Sequence, residues 1–145
     1  MTKKIYLIGS LRNKEVPNVA KTLREAGFDV FDDWYAAGPE ADDYWRDYEK
    51  SRGHSYNEAL QGWSARHVFE FDMEHLQRSD YVILLMPCGR SGHTELGWAI
   101  GRGKKGFVLY PEEPDRFDVM YRFTDGVFCG ENGLAELVER ISSGE

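Results

Sequence analysis

Two carboxylates stand out by the residues around them. Glu95 follows a glycine- and serine-rich loop, Cys88-Gly89-Arg90-Ser91-Gly92, and falls in the first turn of a helix predicted over Gly92–Gly103. Helix N-terminal amides favour an ionised carboxylate, which suits a nucleophile or an electrostatic stabiliser and suits a proton donor poorly. An ordinary first-turn glutamate has the same spacing. Asp72 lies on a predicted helix whose Ala65, Phe69, Met73 and Leu76 share its face, whereas Glu70 and Glu74 point elsewhere. A carboxylate on an apolar stripe is either satisfied by a neighbouring amide or arginine, or kept for chemistry, because burying it unpaired is costly. If that helix ends against the strand before Glu95, the two carboxylates approach each other. A carboxylate nucleophile with a second acidic group is the apparatus of retaining glycosyl transfer.

Two loops could hold an anion beside them. Gly9-Ser10-Leu11-Arg12 and Gly89-Arg90-Ser91-Gly92 each combine small residues with one arginine. Bare amides approach an anion closely and a guanidinium binds phosphate oxygens in bidentate fashion. Neither loop matches a Walker or dinucleotide fingerprint, and tight turns with solvated arginines have the same composition. Trp34, Tyr35, Tyr44, Trp45 and Tyr48 could stack on a heterocyclic base or simply cover the sheet edge. Asp33 and Trp34, at the start of that segment, are assigned to the substrate side. His93 lies near Glu95 and is a candidate ligand contact, or a helix-start histidine without a role. His54, His67, His75 and His93 form no metal-binding pattern, so neither metal nor cofactor is expected. Cys88 reads as a small apolar loop residue.

The elements that must position these groups alternate between two periodicities. Ile5–Ile8 is a short apolar run ending at Gly9, the pattern of a strand buried on both faces. Val16, Val19, Ala20, Leu23 and Ala26 recur at helical spacing until Gly27 stops them. Phe28–Phe31 is a second strand. After a loop, a helix is expected over roughly 40–51, and another from near Ser55, with Glu58 completing a capping box, to about Arg78. Tyr81–Met86 is the most apolar run and the best central strand. Gly106–Tyr110 is a fourth strand, 111–125 irregular, Gly126–Cys129 a fifth strand and Leu134–Ile141 a last helix. Such alternation implies a parallel sheet with helices on both faces, and the order suits a flavodoxin-like 2-1-3-4-5 arrangement in one domain, 1–145. Ligands of such sheets bind at the carboxyl ends of the strands flanking the switch point, strands 1 and 3. The two glycine-marked loops follow those two strands.

Composition narrows the partner. The 145 residues carry 18 basic and 25 acidic side chains, net −7, and 41% are hydrophobic. A chain this apolar and rich in aromatics can bury enough surface to fold, and its acidity disfavours polymeric nucleic acid. No apolar run reaches a membrane span, and Ile5–Ile8 is too short for a signal-peptide core. Two cysteines, Cys88 and Cys129, far apart in the chain, fit a reduced, cytoplasmic setting. The acidity is local. Between Asp32 and Lys50 seven acids face two bases, net −5, so the insertion at about 32–56 is an aromatic and acidic segment and the two candidate anion loops lie outside it.

The chain resembles the nucleoside 2-deoxyribosyltransferases and the related 2'-deoxynucleoside 5'-monophosphate N-glycosidases. The resemblance rests on Ile5-Tyr6-Leu7-Ile8-Gly9-Ser10, on Asp72 to Asp80 with its Asp-x-x-x-Leu-x-x-Ser-Asp spacing, on the strand Tyr81–Met86, and on Gly92-His-Thr-Glu95-Leu-Gly97-Trp-Ala99 followed by Gly103-Lys104. It covers roughly residues 3–110. It implies that Glu95 attacks the anomeric carbon to form a covalent deoxyribosyl-enzyme, that Asp72 is the acid supporting the departing or incoming base, and that a second nucleobase or water accepts the sugar. It further implies that Gly9-Ser10-Leu11-Arg12 and Ser91 lie near a monophosphate, and that Asp118-Val119-Met120-Tyr121 completes the pocket of a neighbouring subunit. Small nucleosides or nucleotides and nucleobases would then be the ligands, and a homo-oligomer with shared active sites the functional unit. The transferases often carry another Asp six residues before the nucleophile, where this chain has Gly89. A non-catalytic nucleotide-binding module on the same fold is the competing reading, and Asp72 on its stripe is the feature that argues against it. An interaction domain using the acidic segment has only the charge cluster behind it.

Overall fold

The structure is a computed structural model, and it describes residues 2–144. Five strands, β1 (Lys4–Ile8), β2 (Asp29–Phe31), β3 (Tyr81–Leu85), β4 (Lys105–Tyr110) and β5 (Gly126–Cys129), form one sheet in the order β2-β1-β3-β4-β5. Every pairing is parallel, with Ile5 opposite Tyr81 and Leu7 opposite Ile83 at the β1–β3 seam. This is the expected flavodoxin-like α/β arrangement, and the seam between β1 and β3 is its switch point.

Alternate side chains of the strands feed two apolar layers. Ile5, Leu7, Ile83, Leu85 and Leu109 face α1 (Val16–Glu25) and α6 (Gly133–Ser142), whose Val16, Leu23, Leu137 and Ile141 are buried against them. Tyr6, Ile8, Val82, Leu84 and Val108 face the other way, onto Leu76 of α4 (Trp63–Arg78) and Leu96 and Ala99 of α5 (Arg90–Gly101). Continuous apolar strands are required because helices cover both faces of a parallel sheet. The insertion after β2 contains a 3-10 turn at Asp33–Ala37, α2 (Ala41–Ser51) and α3 (Tyr56–Leu60).

Three expectations change. The helix expected from Ser55 to Arg78 is two helices. The capping box forms as expected, with Ser55 Oγ accepting from the Glu58 amide at 3.2 Å, but α3 ends at Leu60 and α4 starts afresh at Trp63. Gly62 between them is extended (φ −80, ψ 171) and backs onto the Ala59 carbonyl and the buried Glu49 of α2, so the chain turns where the insertion packs. Next, α5 begins at Arg90 and not at Gly92, which moves Glu95 into the second turn. Last, the segment expected to be irregular after β4 holds a 3-10 turn at Val119–Phe123, started by Asp118, whose carboxylate accepts from the Met120 amide at 2.8 Å.

The apolar stripe of α4 is covered mainly at its C-terminal half, with Ala65 partly covered near the start. Leu76 is buried and Met73 and Asp72 are partly so, but Phe69 is 65% exposed and Trp63 81%. Among the described residues no helix is long and apolar enough to cross a membrane.

Candidate active site

Glu95, in the second turn of α5, reaches back to the sheet. The Tyr6 hydroxyl, from β1, donates to its Oε2 at 2.6 Å. Tyr6 is 1% exposed, so its hydroxyl must find a partner inside the protein, and Glu95 is that partner. Burial lifts the Glu95 carboxyl to about 7; the Tyr6 hydrogen bond pulls it down and the Asp72 charge pushes it up. Burial also raises Asp72, to about 6, with His75 acting in the opposite direction. The influence is one-sided: Asp72 acts on Glu95, whereas burial and His75 are what act on Asp72. Because Glu95 sits in the second turn, desolvation outweighs the helix dipole, and the sequence-based expectation of a readily ionised first-turn carboxylate is corrected.

Close packing sets the position of α5. A Cβ on Gly92 would lie 2.2 Å from Cys88 Sγ, 2.8 Å from Ile8 Cγ2 and 3.0 Å from Leu84 Cδ1, so glycine lets the start of the helix rest directly on β1 and β3. Cys88 is the small half-buried residue expected of it, with its thiol pushed up by burial and by the Glu95 charge. Gly89, the residue before α5, gives its carbonyl to His93 Nδ1 at 2.8 Å. His93 Nε2 is then free to accept from the Tyr121 hydroxyl at 2.8 Å, and the two rings stack at 5.9 Å. His93 thus ties the β4–β5 segment to α5 within the same chain. Ser91 is exposed in the first turn of α5.

The loop after β1 is a compact turn at the same end of the sheet. Ser10 Oγ accepts from the Arg12 amide at 3.1 Å, and the Arg12 guanidinium projects to Asp43 of α2 at 3.5 Å. Gly9 lies against Trp34 and Val16. Trp34 has its indole N–H taken up by the Leu7 carbonyl at 2.8 Å and packs into both apolar layers, so it builds the wall rather than presenting a free donor. Asp33 is exposed at the start of the 3-10 turn. Asp118 has one carboxylate oxygen engaged as the cap of the second 3-10 turn, and Met120 is 58% exposed.

Sequence reasoning missed an aromatic cluster next to the carboxylates. Phe31 of β2 lies 5.1 Å from Tyr6, stacks on His75 at 4.1 Å with the planes 10° apart, and meets Phe71 edge-on at 5.6 Å. The available signal was a tyrosine within a strand buried on both faces, since its hydroxyl needs a buried acceptor. Tyr44 and Tyr48, weighed as stacking residues, instead lie exposed on α2 and bond to Glu40 and Arg52. A hollow of about 190 Å³ lined by Tyr110, Arg116, Asp118, Tyr121 and Cys129, among others, opens beside the second 3-10 turn, and neither carboxylate is part of its wall. No group of three or more His, Cys, Asp or Glu among the described residues could hold a metal ion.

No family model matches the sequence, and no curated protein is similar to it. Solved structures are similar in fold. The CMP N-glycosidase BcmB of Clostridium botulinum has 17% identity and a TM-score of 0.58, over 97% of this chain and 99% of that one. A 2-deoxyribosyltransferase from Bacillus psychrosaccharolyticus has 21% identity and a TM-score of 0.56, over 93% of this chain and 90% of that one. The response regulator TrrA of Thermotoga maritima has 19% identity and a TM-score of 0.53, over 98% of both chains. Two enzymes of nucleoside chemistry and a response regulator on one architecture mean that the fold does not choose among functions; the residues in the crevice must. The chain shares its fold with a CMP N-glycosidase and a 2-deoxyribosyltransferase, and it holds two partly buried carboxyls, Glu95 and Asp72, both raised by burial.

Proposed function

We propose that this protein cleaves the N-glycosidic bond of a 2'-deoxynucleoside or its 5'-monophosphate and passes the deoxyribosyl group to another nucleobase or to water. The carrying observation is the pair Glu95 and Asp72, both held above the ordinary carboxylate range by burial, with the Tyr6 hydroxyl on Glu95 Oε2. A non-catalytic binding module has no need of two desolvated acids.

The Tyr6 bond leaves Glu95 Oε1 as the attacking atom. As Oε1 bonds to C1', the C1'–N bond breaks, its electron pair goes to the base nitrogen, and the Asp72 proton neutralises the departing base. In the second displacement an incoming base or water attacks C1', the glutamyl ester bond breaks, and its electrons return to Glu95. Asp72 takes the proton that the acceptor gives up. Tyr6 favours the ionised form of Glu95, yet burial leaves Glu95 at about 7 and Asp72 at about 6, so the assigned roles require bound substrate to shift the shared proton from Glu95 to Asp72.

Ser10, Arg12 and Ser91 are assigned to the 5' end of the sugar, with Gly9 and Gly89 allowing close backbone approach. Asp33, Trp34 and His93 are assigned to the border of that space, and the approach of Trp34 to Gly9 supports this for Trp34. The segment around Asp118 and Met120 is assigned to a neighbouring subunit's pocket in a homo-oligomer. Its apolar side chains support that assignment, since Val119 is 72% exposed and Phe123 69%.

The test is mass spectrometry of the intact protein mixed with a panel of 2'-deoxynucleosides and their monophosphates, with and without an acceptor base. A deoxyribosyl adduct on Glu95 is expected, absent in Glu95→Ala. Undiminished turnover by Glu95→Ala removes the nucleophile, and saturable binding with no base release leaves a binding module in its place. Sedimentation of the same samples gives the subunit number.

A further inference from the structure

Besides Trp34 against Gly9, a carboxylate of the acidic insertion reaches the loop after β1. Asp43, in the first turn of α2, has Oδ2 3.5 Å from Arg12 Nη2 and Oδ1 3.4 Å from Arg46 Nη1. One carboxylate is thus shared by two guanidiniums, one on the loop assigned to the sugar's 5' end and one three residues along its own helix. Arg46 has a further partner in Asp47, with Nε 3.0 Å from Oδ1. The Arg12 side chain is 68% exposed and that of Asp43 46%, so the pair is open to solvent, weak and exchangeable.

We propose that Asp43 is an internal stand-in for a phosphate on Arg12, and that it sets how strongly the site discriminates a 5'-monophosphate from a free nucleoside. A phosphate brings up to two charges and two oxygens in the geometry of the guanidinium fork, against a single long carboxylate contact. It therefore displaces Asp43 from Arg12. The released carboxylate stays on Arg46 and is not left unpaired. A nucleoside carries nothing that competes for Arg12 and leaves Asp43 where it is. Asp43 thus lowers affinity for the anion alone, by occupying its cation and by like-charge repulsion, and α2 becomes the element through which the insertion senses the substrate's 5' group. The identity of the anion as a nucleotide phosphate rests on the function proposed above; the competition at Arg12 does not.

The experiment titrates wild type, Asp43→Asn and the Arg12→Gln/Asp43→Asn double variant with inorganic phosphate, following the backbone amide resonances of residues 9–12. Asp43→Asn is expected to tighten phosphate binding about two- to five-fold at low ionic strength. The gain should fade near ~0.5 M salt and vanish when Arg12 is also replaced. Unchanged or weaker phosphate binding in Asp43→Asn overturns the proposal, as does phosphate that leaves residues 9–12 unperturbed in both proteins. Steady-state kinetics then separate this inference from the proposed reaction. Asp43→Asn should lower KM for 2'-deoxynucleoside 5'-monophosphates by a similar factor and leave KM for the nucleosides unchanged. Equal changes for both substrates refute the discriminating role. Tighter phosphate with no base release from any substrate keeps the Asp43–Arg12 competition and discards the reaction.

Discussion

Replacing Glu95 by glutamine should stabilise the protein at neutral and alkaline pH, and only there. Burial holds this carboxyl at about 7 in the folded chain, whereas its ordinary value is 4.5. Between those two values the folded state keeps a proton that the unfolded state has released. Stability from this group is therefore fully present below pH 4.5, falls as the pH climbs through the window, and levels off above 7. The gap corresponds to about 3 kcal/mol lost by pH 8. Glutamine has nearly the same shape, still offers an oxygen to the Tyr6 hydroxyl, and never ionises. The two proteins should melt together at pH 4.5. At pH 8 the variant should gain up to about 3 kcal/mol, or roughly 9 °C at ~3 °C per kcal/mol for a domain of this size. Thermal unfolding followed by circular dichroism from pH 4.5 to 8.5 measures the difference directly. Equal melting at pH 8, or a difference that does not change with pH, would refute the claim that the fold holds Glu95 against its own ionisation. Loss of turnover together with the gain in stability would mark Glu95 as a residue kept for chemistry at the expense of the fold.

Tyr6→Phe removes one buried hydroxyl and keeps the ring that packs 5.1 Å from Phe31. The Glu95 carboxylate then loses its donor, so its titration midpoint should climb by about one to two pH units, read from the acid limb of the rate profile. Asp72→Asn should slow release of bases that need protonation by about 10²–10⁴-fold while sparing a substrate whose base departs unprotonated, and parallel assays of the two leaving groups check this. Gly92→Ala puts a methyl 2.2 Å from Cys88 Sγ and 2.8 Å from Ile8 Cγ2. Overpacking there should lower stability by about 1–3 kcal/mol in denaturant unfolding, and Cys88→Ala should return only part of it, because Ile8 and Leu84 remain in the way.

The elements were legible where one physical signal dominated. Continuous apolar runs at Ile5–Ile8 and Tyr81–Met86 could only be strands covered on both faces, and once alternated with helices they set the sheet order. Ser55 and Glu58 marked their helix start because a capping box is a local arrangement that needs no tertiary partner. The helix break at Gly62 was not legible, since it follows from the packing of Glu49 and Ala59 and leaves the helical spacing on either side intact. Glu95 and Asp72 were legible as candidates from a loop and a stripe. Their acidity was not: a two-residue difference in where α5 begins exchanges helix-end stabilisation for desolvation. Tyr6 passed as a core residue because a strand's periodicity carries no information about where a hydroxyl finds its acceptor. Trp34 was recognised as important, but its indole N–H turned out to serve the Leu7 carbonyl, a partner set by how the chain leaves β2.

That Trp34 contact divides the insertion into two unlike parts. By bonding Leu7 and packing into both apolar layers, Trp34 makes the first residues after β2 a seal on the sheet itself. From Gly38 to Gly53 the chain instead runs through α2, whose side chains, apart from Glu49, are exposed or only partly covered. A cut upstream of Trp34 would open the end of β1 and reach the carboxylates through Tyr6. An exchange within 38–53 that keeps Glu49, which packs against Gly62 at the start of α4, would spare that seal. Under the proposed function, α2 is thus a segment that can be recombined while the Trp34 seal and the Tyr6–Glu95 bond are kept, which makes it the place to look for altered substrate preference.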